Sequence, residues 1–169
     1  GEYGDNASRQ VIGNGIPTMH AALTANLQVK NFDLSVTLRG SFDFQILNQY
    51  RMLWENFARG ADHNFPRSIL RNKYNHYVAT APAYVSYYVE DGDFVKIDNI
   101  TLGYTFRFKN PKNPIRTLRL YASGLNLYTF TRYQGVDPEI NFNGLTPGVD
   151  YVAGYPTTRT FTFGVKLGF

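Results

Sequence analysis

The feature that most constrains this chain is an alternation of apolar and polar residues with a period of two. Between Ala22 and Phe42 the alternation runs twice, and Lys30-Asn31 separates the two runs. This period is typical of a β-strand that has one apolar face. A two-residue loop at Lys30-Asn31 would place Val29 opposite Phe32 on that face. The segment therefore predicts a β-hairpin with strands at residues 22–29 and 32–42.

Three later segments alternate in the same way, at about residues 99–108, 117–129 and 160–169, so the sequence predicts five strands. The phase of the 117–129 segment blurs at Gly124, which predicts a β-bulge there. Between Phe44 and Gly60 the apolar residues instead recur at helical spacing. This spacing predicts a short helix that Asp43 caps and Gly60 ends.

The connections between the predicted strands differ systematically in length. Lys30-Asn31 and residues 109–116 are short, whereas residues 44–93 and 130–158 are long. Outer-membrane barrels alternate short periplasmic turns with long external loops, and their strands have about the length found here. The pattern predicts an all-β fold: about five strands of a transmembrane antiparallel β-barrel, with long extracellular loops, one of which carries the helix. With the carboxyl terminus on the periplasmic side, both short turns are periplasmic.

The composition agrees with a membrane barrel and disfavours several other classes of protein. Aromatic residues make up 16% of the chain. They gather at the predicted strand ends as two girdles: Phe32, Phe106, Phe108 and Phe169 at the inner edge, and Phe42, Tyr128, Phe130 and Phe161 at the outer edge. The net charge of +4 is scattered, which gives little support to nucleic-acid binding. Cysteine is absent, which excludes thiolate chemistry.

Two other classes of protein share parts of this pattern. A soluble antiparallel β-sandwich also alternates and also carries long loops. Strand length, loop parity and the small polar residues of the second face favour the membrane barrel over the sandwich. A surface barrel adhesin, which binds a partner without transporting anything, is the other alternative.

A resemblance to a known family is carried by segments that span nearly the whole chain. Residues 89–104 read VEDGDFVKIDNITLGY. They resemble the segment of the DGSFLRLKNLTLGY type in the SusC/RagA family of TonB-dependent outer-membrane transporters. Further segments resemble the same family in the same order: 12–17, 31–36, 118–127, 133–139 and 155–164.

The resemblance implies that residues 1–169 are the C-terminal part of a TonB-dependent receptor β-barrel domain, in a barrel of about 22 strands. The N-terminal plug domain and the earlier strands would lie outside this chain, because five strands cannot close a pore in lipid. The family imports a large nutrient, an oligosaccharide or peptide, across the bacterial outer membrane. Its partners are a SusD-like surface lipoprotein and the TonB complex, which contacts the missing N-terminal part. No cofactor is implied.

Candidate ligand-binding residues lie in the predicted outer loops. An aromatic ring suits the apolar side of a sugar, and these loops open to the outside. The candidates are Tyr84, Tyr87, Tyr88, Asp150, Tyr151 and Tyr155. The alternative for the tyrosines is loop packing or contact with the lipoprotein lid. Asp137 and Glu139 could bind a cation, but a turn is the favoured interpretation for Asp137-Pro138.

Two more sets of residues complete the prediction. The charges expected on the lumen wall, which either pair with plug carboxylates or are solvated, are Arg39, Arg107, Arg119 and Lys166. The last strand carries a pattern similar to the outer-membrane assembly signal, at Thr162, Gly164, Leu167 and Phe169. No catalytic constellation is visible and the three histidines lack ligand spacing, so the sequence predicts neither an enzyme nor a metal site.

Overall fold

A computed structural model describes residues 10–56, 64–67, 69, 84–110, 114–140, 144–151 and 155–169. The elements in chain order are β1 (Met19–Val29), β2 (Phe32–Phe42), β3 (Gln45–Asn48), α1 (Gln49–Trp54), a 3-10 turn (Ser86–Tyr88), β4 (Val89–Asp91), β5 (Phe94–Arg107), β6 (Thr117–Thr131), β7 (Val149–Asp150) and β8 (Thr160–Gly168). They divide between two compact units.

The first unit, here called the wall sheet, comprises Met19–Phe42, Asp93–Arg132 and Pro156–Phe169. It is one antiparallel sheet of five strands in the order β1-β2-β5-β6-β8. Val29 pairs with Phe32 across the two-residue turn, where Lys30 has a φ of 54°. A positive φ suits a tight hairpin turn. The five strands and the hairpin register are confirmed.

Strand ends and irregularities differ from the prediction. Three strands are longer than predicted. β1 begins at Met19, β5 begins at Phe94 and β6 ends at Thr131. The predicted bulge at Gly124 is wrong, because Gly124 pairs regularly with both neighbouring strands. The extra residue lies farther along β6, where Asn126 has a φ of 52°. Asn tolerates that conformation better than most residues do.

The second unit, here called the loop unit, contains Asp43–Gly92 and Tyr133–Tyr155 together with the residues up to Thr18. A small sheet in the order β4-β3-β7 forms its centre, with β3 antiparallel to β4 and parallel to β7. β3 comes from the first long connection and β7 from the second. The two connections are therefore joined by strand pairing.

The predicted start of the helix is wrong. Residues Gln45–Asn48 form a strand, and the helix begins at Gln49 with the Asn48 side chain accepting a hydrogen bond from the Arg51 N–H (3.0 Å). Burial alternates along β3, with Ile46 and Asn48 buried, because the strand presents one face to the unit's core. The Asp43 carboxylate, predicted to cap the helix, instead accepts a hydrogen bond from the Thr18 hydroxyl (2.7 Å). The predicted helix end at Gly60 lies outside the described residues.

Large side chains fill the core of the loop unit. Phe44 and Ile46 are fully buried, and Tyr88, Met52 and Tyr133 are nearly so. The ring of Phe44 occupies the space that a side chain at position 92 would need, so glycine is required there.

Within the part of the chain that the structure describes, no helix is both long and apolar enough to cross a membrane.

Candidate functional site

The wall sheet has one continuous apolar face. Strand register aligns Leu27, Leu34, Leu102, Ala122 and Phe163 in a row across all five strands. Leu102 is 51% exposed and Phe163 is 80% exposed, so no second protein layer of the described chain covers these side chains. A soluble sandwich would bury this face. The exposed apolar face is that of a membrane-facing sheet.

Aromatic side chains border the apolar face at both ends, as predicted. Phe32, Tyr104 and Phe106 stack edge to face at the end with short turns, with centroid distances of 4.5 and 4.7 Å. Tyr128 and Phe130 form a similar pair at the opposite end, 4.7 Å apart. Rings in these positions are typical of the two membrane interfaces.

The opposite face is polar and carries an ion pair that bridges three strands. Arg119 on β6 donates from Nε to Oδ1 of Asp33 on β2 (3.0 Å), and its Nη2 contacts Oδ2 of the same carboxylate. β5 lies between these two strands, and Gly103 is the β5 residue beneath the pair. A Cβ atom at position 103 would lie 2.5 Å from Asp33 Oδ1 and 2.6 Å from Arg119 Nη2. Glycine therefore makes room for the bridge.

The bridge continues toward the last strand. The Arg119 guanidinium lies 5.0 Å from the ring centroid of Tyr121, which is a cation–π distance. The Tyr121 ring in turn covers Gly164 on β8, where any side chain would collide with it. Asp33, Arg119 and Tyr121 thus form a lateral connection over β2, β5, β6 and β8, here called the polar clasp. It ties the strands together on the side away from the apolar face.

The other predicted lumen charges occupy the same polar face. Arg39 donates from Nε to Asp98 (2.7 Å), and both side chains are about one-third exposed. Arg39 also lines a cavity of about 290 Å³ with His20 and Ser41, whose Nδ1 and Oγ atoms are 2.9 Å apart. Arg107 and Lys166 are exposed, and Lys166 lies directly opposite Arg119 on the neighbouring strand.

In the loop unit, one arginine holds two buried glutamates. Arg51 donates from Nε to Glu55 (3.0 Å) and from Nη1 to Glu90 (2.5 Å). Burial by itself would lower the pKa of Arg51, but the hydrogen bonds and charges of the two glutamates outweigh it and raise that pKa. Glu90 also accepts from Asn48 (3.2 Å) and from the backbone N–H of Gln134 (2.8 Å). The network joins α1, β3 and β4, which lie in the first long connection, to Gln134 in the second.

A second polar contact joins Tyr133 to Asp150. The tyrosine hydroxyl donates to the carboxylate, and Tyr133 is buried whereas Asp150 is half-buried. Burial raises the pKa of Asp150 despite this hydrogen bond, which acts in the opposite direction. Burial and the carboxylate also raise the pKa of Tyr133. Asp150 is therefore part of the unit's internal structure as well as a candidate ligand residue.

The predicted ligand tyrosines divide into two groups. Tyr84, Tyr151 and Tyr155 are exposed, by 68%, 47% and 87%. Tyr88 is 2% exposed and belongs to the core, which favours the packing interpretation for it. Tyr87 accepts a hydrogen bond from Arg51 Nη2 (3.1 Å), and burial raises its pKa. Ligand contact by the three exposed tyrosines stays a prediction.

Asp137 and Glu139 fit the turn interpretation. The Asp137 carboxylate accepts a hydrogen bond from the Glu139 N–H (3.0 Å), as in an Asx turn. Among the described residues, no group of three or more possible ligands is arranged to hold a metal ion.

The residues of the predicted assembly signal lie on β8 or directly after it. Thr162 and Gly164 are on the polar face, whereas Leu167 belongs to the apolar face and Phe169 follows the strand with 82% exposure. β8 pairs with β6 only, so its other edge is open among the described strands.

Sequence reasoning missed the Arg51 network and the polar clasp. Arg51 and Glu55 stand four residues apart, a spacing that stabilises pairs on a helix and could have indicated the first of them. Asp33 and Arg119 lie 86 residues apart. Without the strand order, no local signal connects them.

Comparison with known proteins identifies the family. TonB-dependent receptor P3 of Formosa agariphila is 32% identical over 188 residues, which cover 96% of this chain and 17% of the relative. TonB-dependent receptor SusC of Bacteroides thetaiotaomicron is 32% identical over 158 residues, 87% of this chain and 15% of the relative. The chain belongs to the SusC/RagA family of TonB-dependent receptors. It spans less than a fifth of the length of these curated relatives.

Solved structures show the same fold for this receptor segment. The RagAB peptide importer in its closed-closed state superposes with a TM-score of 0.84 at 20% identity, over 99% of this chain and 19% of the importer chain. The open-open state gives a TM-score of 0.76 at 22% identity, over 90% of this chain and 17% of the importer chain. No protein-family profile matches the chain. TonB-dependent receptors are outer-membrane β-barrels, and this segment is part of such a barrel.

Proposed function

We propose that the chain is the C-terminal five-strand section of an importer wall that carries a large nutrient, an oligosaccharide or a peptide, across the outer membrane. The observation that supports this most is the two-sided wall sheet. Its apolar face is exposed and bordered by aromatic rings, while its polar face carries ion pairs and small hydroxyl residues. In a transmembrane barrel, lipid meets the first face and the water-filled lumen meets the second.

The connections support an orientation for the wall sheet. The turn at Lys30-Asn31 and the connection from β5 to β6 lie at one end of it. The connections that enter the loop unit leave from the other end. In outer-membrane barrels the short turns are periplasmic, so the long connections leave the wall sheet at its outer end and the end of β8 faces the periplasm.

The likeness to SusC and to the RagAB importer supports the partners in this proposal. A plug and the remaining strands complete the barrel, the TonB complex contacts a part of the receptor outside this chain, and a SusD-like lipoprotein covers the outer side. The exposed tyrosines Tyr84, Tyr151 and Tyr155 in the loop unit would then touch the nutrient or the lipoprotein. The receptor has no catalytic task in this scheme, because transport depends on binding and on energy from the TonB complex.

The decisive experiment measures uptake by the intact receptor. Cells that lack the gene are complemented with the wild-type gene or with a variant in which Tyr84, Tyr151 and Tyr155 are alanine. The energy-dependent uptake of oligosaccharide and peptide mixtures is then measured. Wild-type cells should deplete one class of nutrient, and the triple variant should deplete it more slowly at equal receptor abundance. Equal depletion with and without the gene would contradict import and favour the adhesin alternative.

A further inference from the structure

Basic residues collect at the short-turn end of the wall sheet. Lys30, Lys109 and Arg116 are all exposed, and none forms an ion pair among the described residues. Residues 109–116 contain no acidic residue. Asp33, the acidic residue of β2 at this end, is held by Arg119 on the polar face. These three cations, which no acidic side chain of the described residues pairs with, are here called the basic rim.

Backbone hydrogen bonds hold the rim in place. The Phe108 N–H donates to the Arg116 carbonyl (2.9 Å), and the Arg116 N–H donates to the Gly168 carbonyl (2.7 Å). The Thr105 N–H donates to the Asn31 carbonyl (2.9 Å), which sets the hairpin turn beside the end of β5. Arg116 and the hairpin turn that carries Lys30 are thus part of the sheet's hydrogen-bonded edge.

Arg116 lies at the short-turn edge of the wall sheet, where the apolar face ends. Leu118 pairs with Phe106 and Leu167 in the apolar row, and Arg116 stands two residues before it. Arg116 comes directly before β6, and its backbone bonds to Phe108 and Gly168 keep it beside the exposed aromatic residues Phe108 and Phe169, which are 39% and 82% exposed. A cation on the lipid side is costly at mid-depth but costs about 0–1 kcal/mol near the interface. There its guanidinium can reach the headgroups while its methylenes stay with the aromatic rings.

We propose that Arg116, assisted by Lys30 and Lys109, binds the headgroup phosphate of an anionic phospholipid in the leaflet at the short-turn end. The planar guanidinium suits a phosphate because it can donate two parallel hydrogen bonds. The neighbouring rings lie at headgroup level and contact the upper part of the acyl chains. This site rests on the proposed function, since it requires the apolar face to meet lipid.

The test uses the intact receptor in nanodiscs made of equal amounts of phosphatidylethanolamine and phosphatidylglycerol. Native mass spectrometry measures the ratio of the two lipids that the receptor retains. Wild-type receptor should retain an excess of phosphatidylglycerol. Each basic residue near an anionic surface contributes about fivefold in affinity, so Arg116→Gln should lower the ratio about fivefold and Arg116→Lys much less. Adding Lys30→Gln and Lys109→Gln should lower it further.

The matched control is Arg132→Gln, which removes the same charge just beyond Thr131, at the opposite end of β6. This variant should retain the wild-type lipid ratio. No excess of phosphatidylglycerol in the wild type, or equal losses for Arg116→Gln and Arg132→Gln, would overturn the proposal.

Two further outcomes separate this proposal from the function on which it rests. A receptor that inserts and imports normally but shows no lipid preference would refute the lipid site alone. In a parallel set of nanodiscs that also contain lipid A, loss of lipid A rather than phosphatidylglycerol by Arg116→Gln would mean that the short-turn end faces outside, and the proposed orientation would fall with the site.

Discussion

Replacing Gly103 with alanine tests the polar clasp directly. The new Cβ would lie 2.5–2.6 Å from the atoms of Asp33 and Arg119 that meet above it, so both side chains must move and the geometry of the ion pair should worsen. Hydrogen bonds to charged groups contribute about 1.5–3 kcal/mol, and partial exposure reduces that contribution. Alanine also removes glycine's conformational cost in a strand, about 0.5–1 kcal/mol. The net expectation is a loss of about 1 kcal/mol.

The informative comparison uses a background in which Asp33 and Arg119 are both alanine. There the Cβ meets no ion pair, so Gly103→Ala should stabilise the barrel by about 0.5 kcal/mol. The change of sign between the two backgrounds is the prediction. Unfolding of the intact receptor can be followed by the loss of compact migration in electrophoresis as urea or temperature increases.

Gly168→Ala is the control, because a Cβ at position 168 would meet the Thr117 hydroxyl and no part of the clasp. Its cost should be equal in both backgrounds. If Gly103→Ala were equally costly with and without the ion pair, glycine would be needed there for another reason, and the argument for the clasp would be refuted.

Three other perturbations address the lipid face and the loop unit. Leu102→Arg places a charge in the middle of the apolar face and should cost about 2–4 kcal/mol of folding free energy in lipid vesicles, whereas Asn26→Arg, at a similar depth on the polar face and opposite Ser35, should cost little. Arg51→Gln leaves two buried carboxylates without their cation and should destabilise the loop unit by about 3 kcal/mol, seen as faster proteolysis there; an unchanged rate would contradict the network. The raised pKa of Asp150 means that the folded unit binds its proton more tightly than the unfolded chain does. Its stabilising contribution is complete below pH 3.8, the ordinary pKa, and is lost as the pH rises through the raised pKa; hydrogen exchange of β7 should show this loss in wild type but not in Asp150→Asn.

The wall sheet could be predicted from the sequence because its signal is local. Each strand can be recognised by the alternation of its own apolar and polar residues. The turn at Lys30-Asn31 sets the hairpin register, which does not depend on distant residues. The aromatic girdles follow from the same alternation. The prediction of strand ends was less accurate at β5. Asp98 is an extra residue opposite β2, so the alternation of apolar and polar residues loses its phase there.

The loop unit could not be predicted to the same extent, because its structure depends on contacts between distant segments. Ile46 and Leu47 fit a helical spacing with later residues, yet they belong to β3, which pairs with Val89–Asp91 and Val149–Asp150. Local periodicity cannot reveal those partners. The same limit applies to the predicted site residues. Tyr84 and Tyr88 look equivalent in the sequence, yet Tyr84 is 68% exposed and Tyr88 is 2% exposed.

The parallel pairing of Leu47 with Val149 also constrains how this receptor could be re-engineered. Each long connection begins and ends at the end of a wall-sheet strand. Either one could therefore be exchanged for the corresponding connection of a related receptor that imports a different nutrient. Among the described strands, β7 pairs with β3. Replacing only one of the two connections would therefore leave the remaining part of this small sheet without its matching partner. Chimeras should therefore move both segments as one cassette, and natural recombination between such genes would have to respect the same linkage.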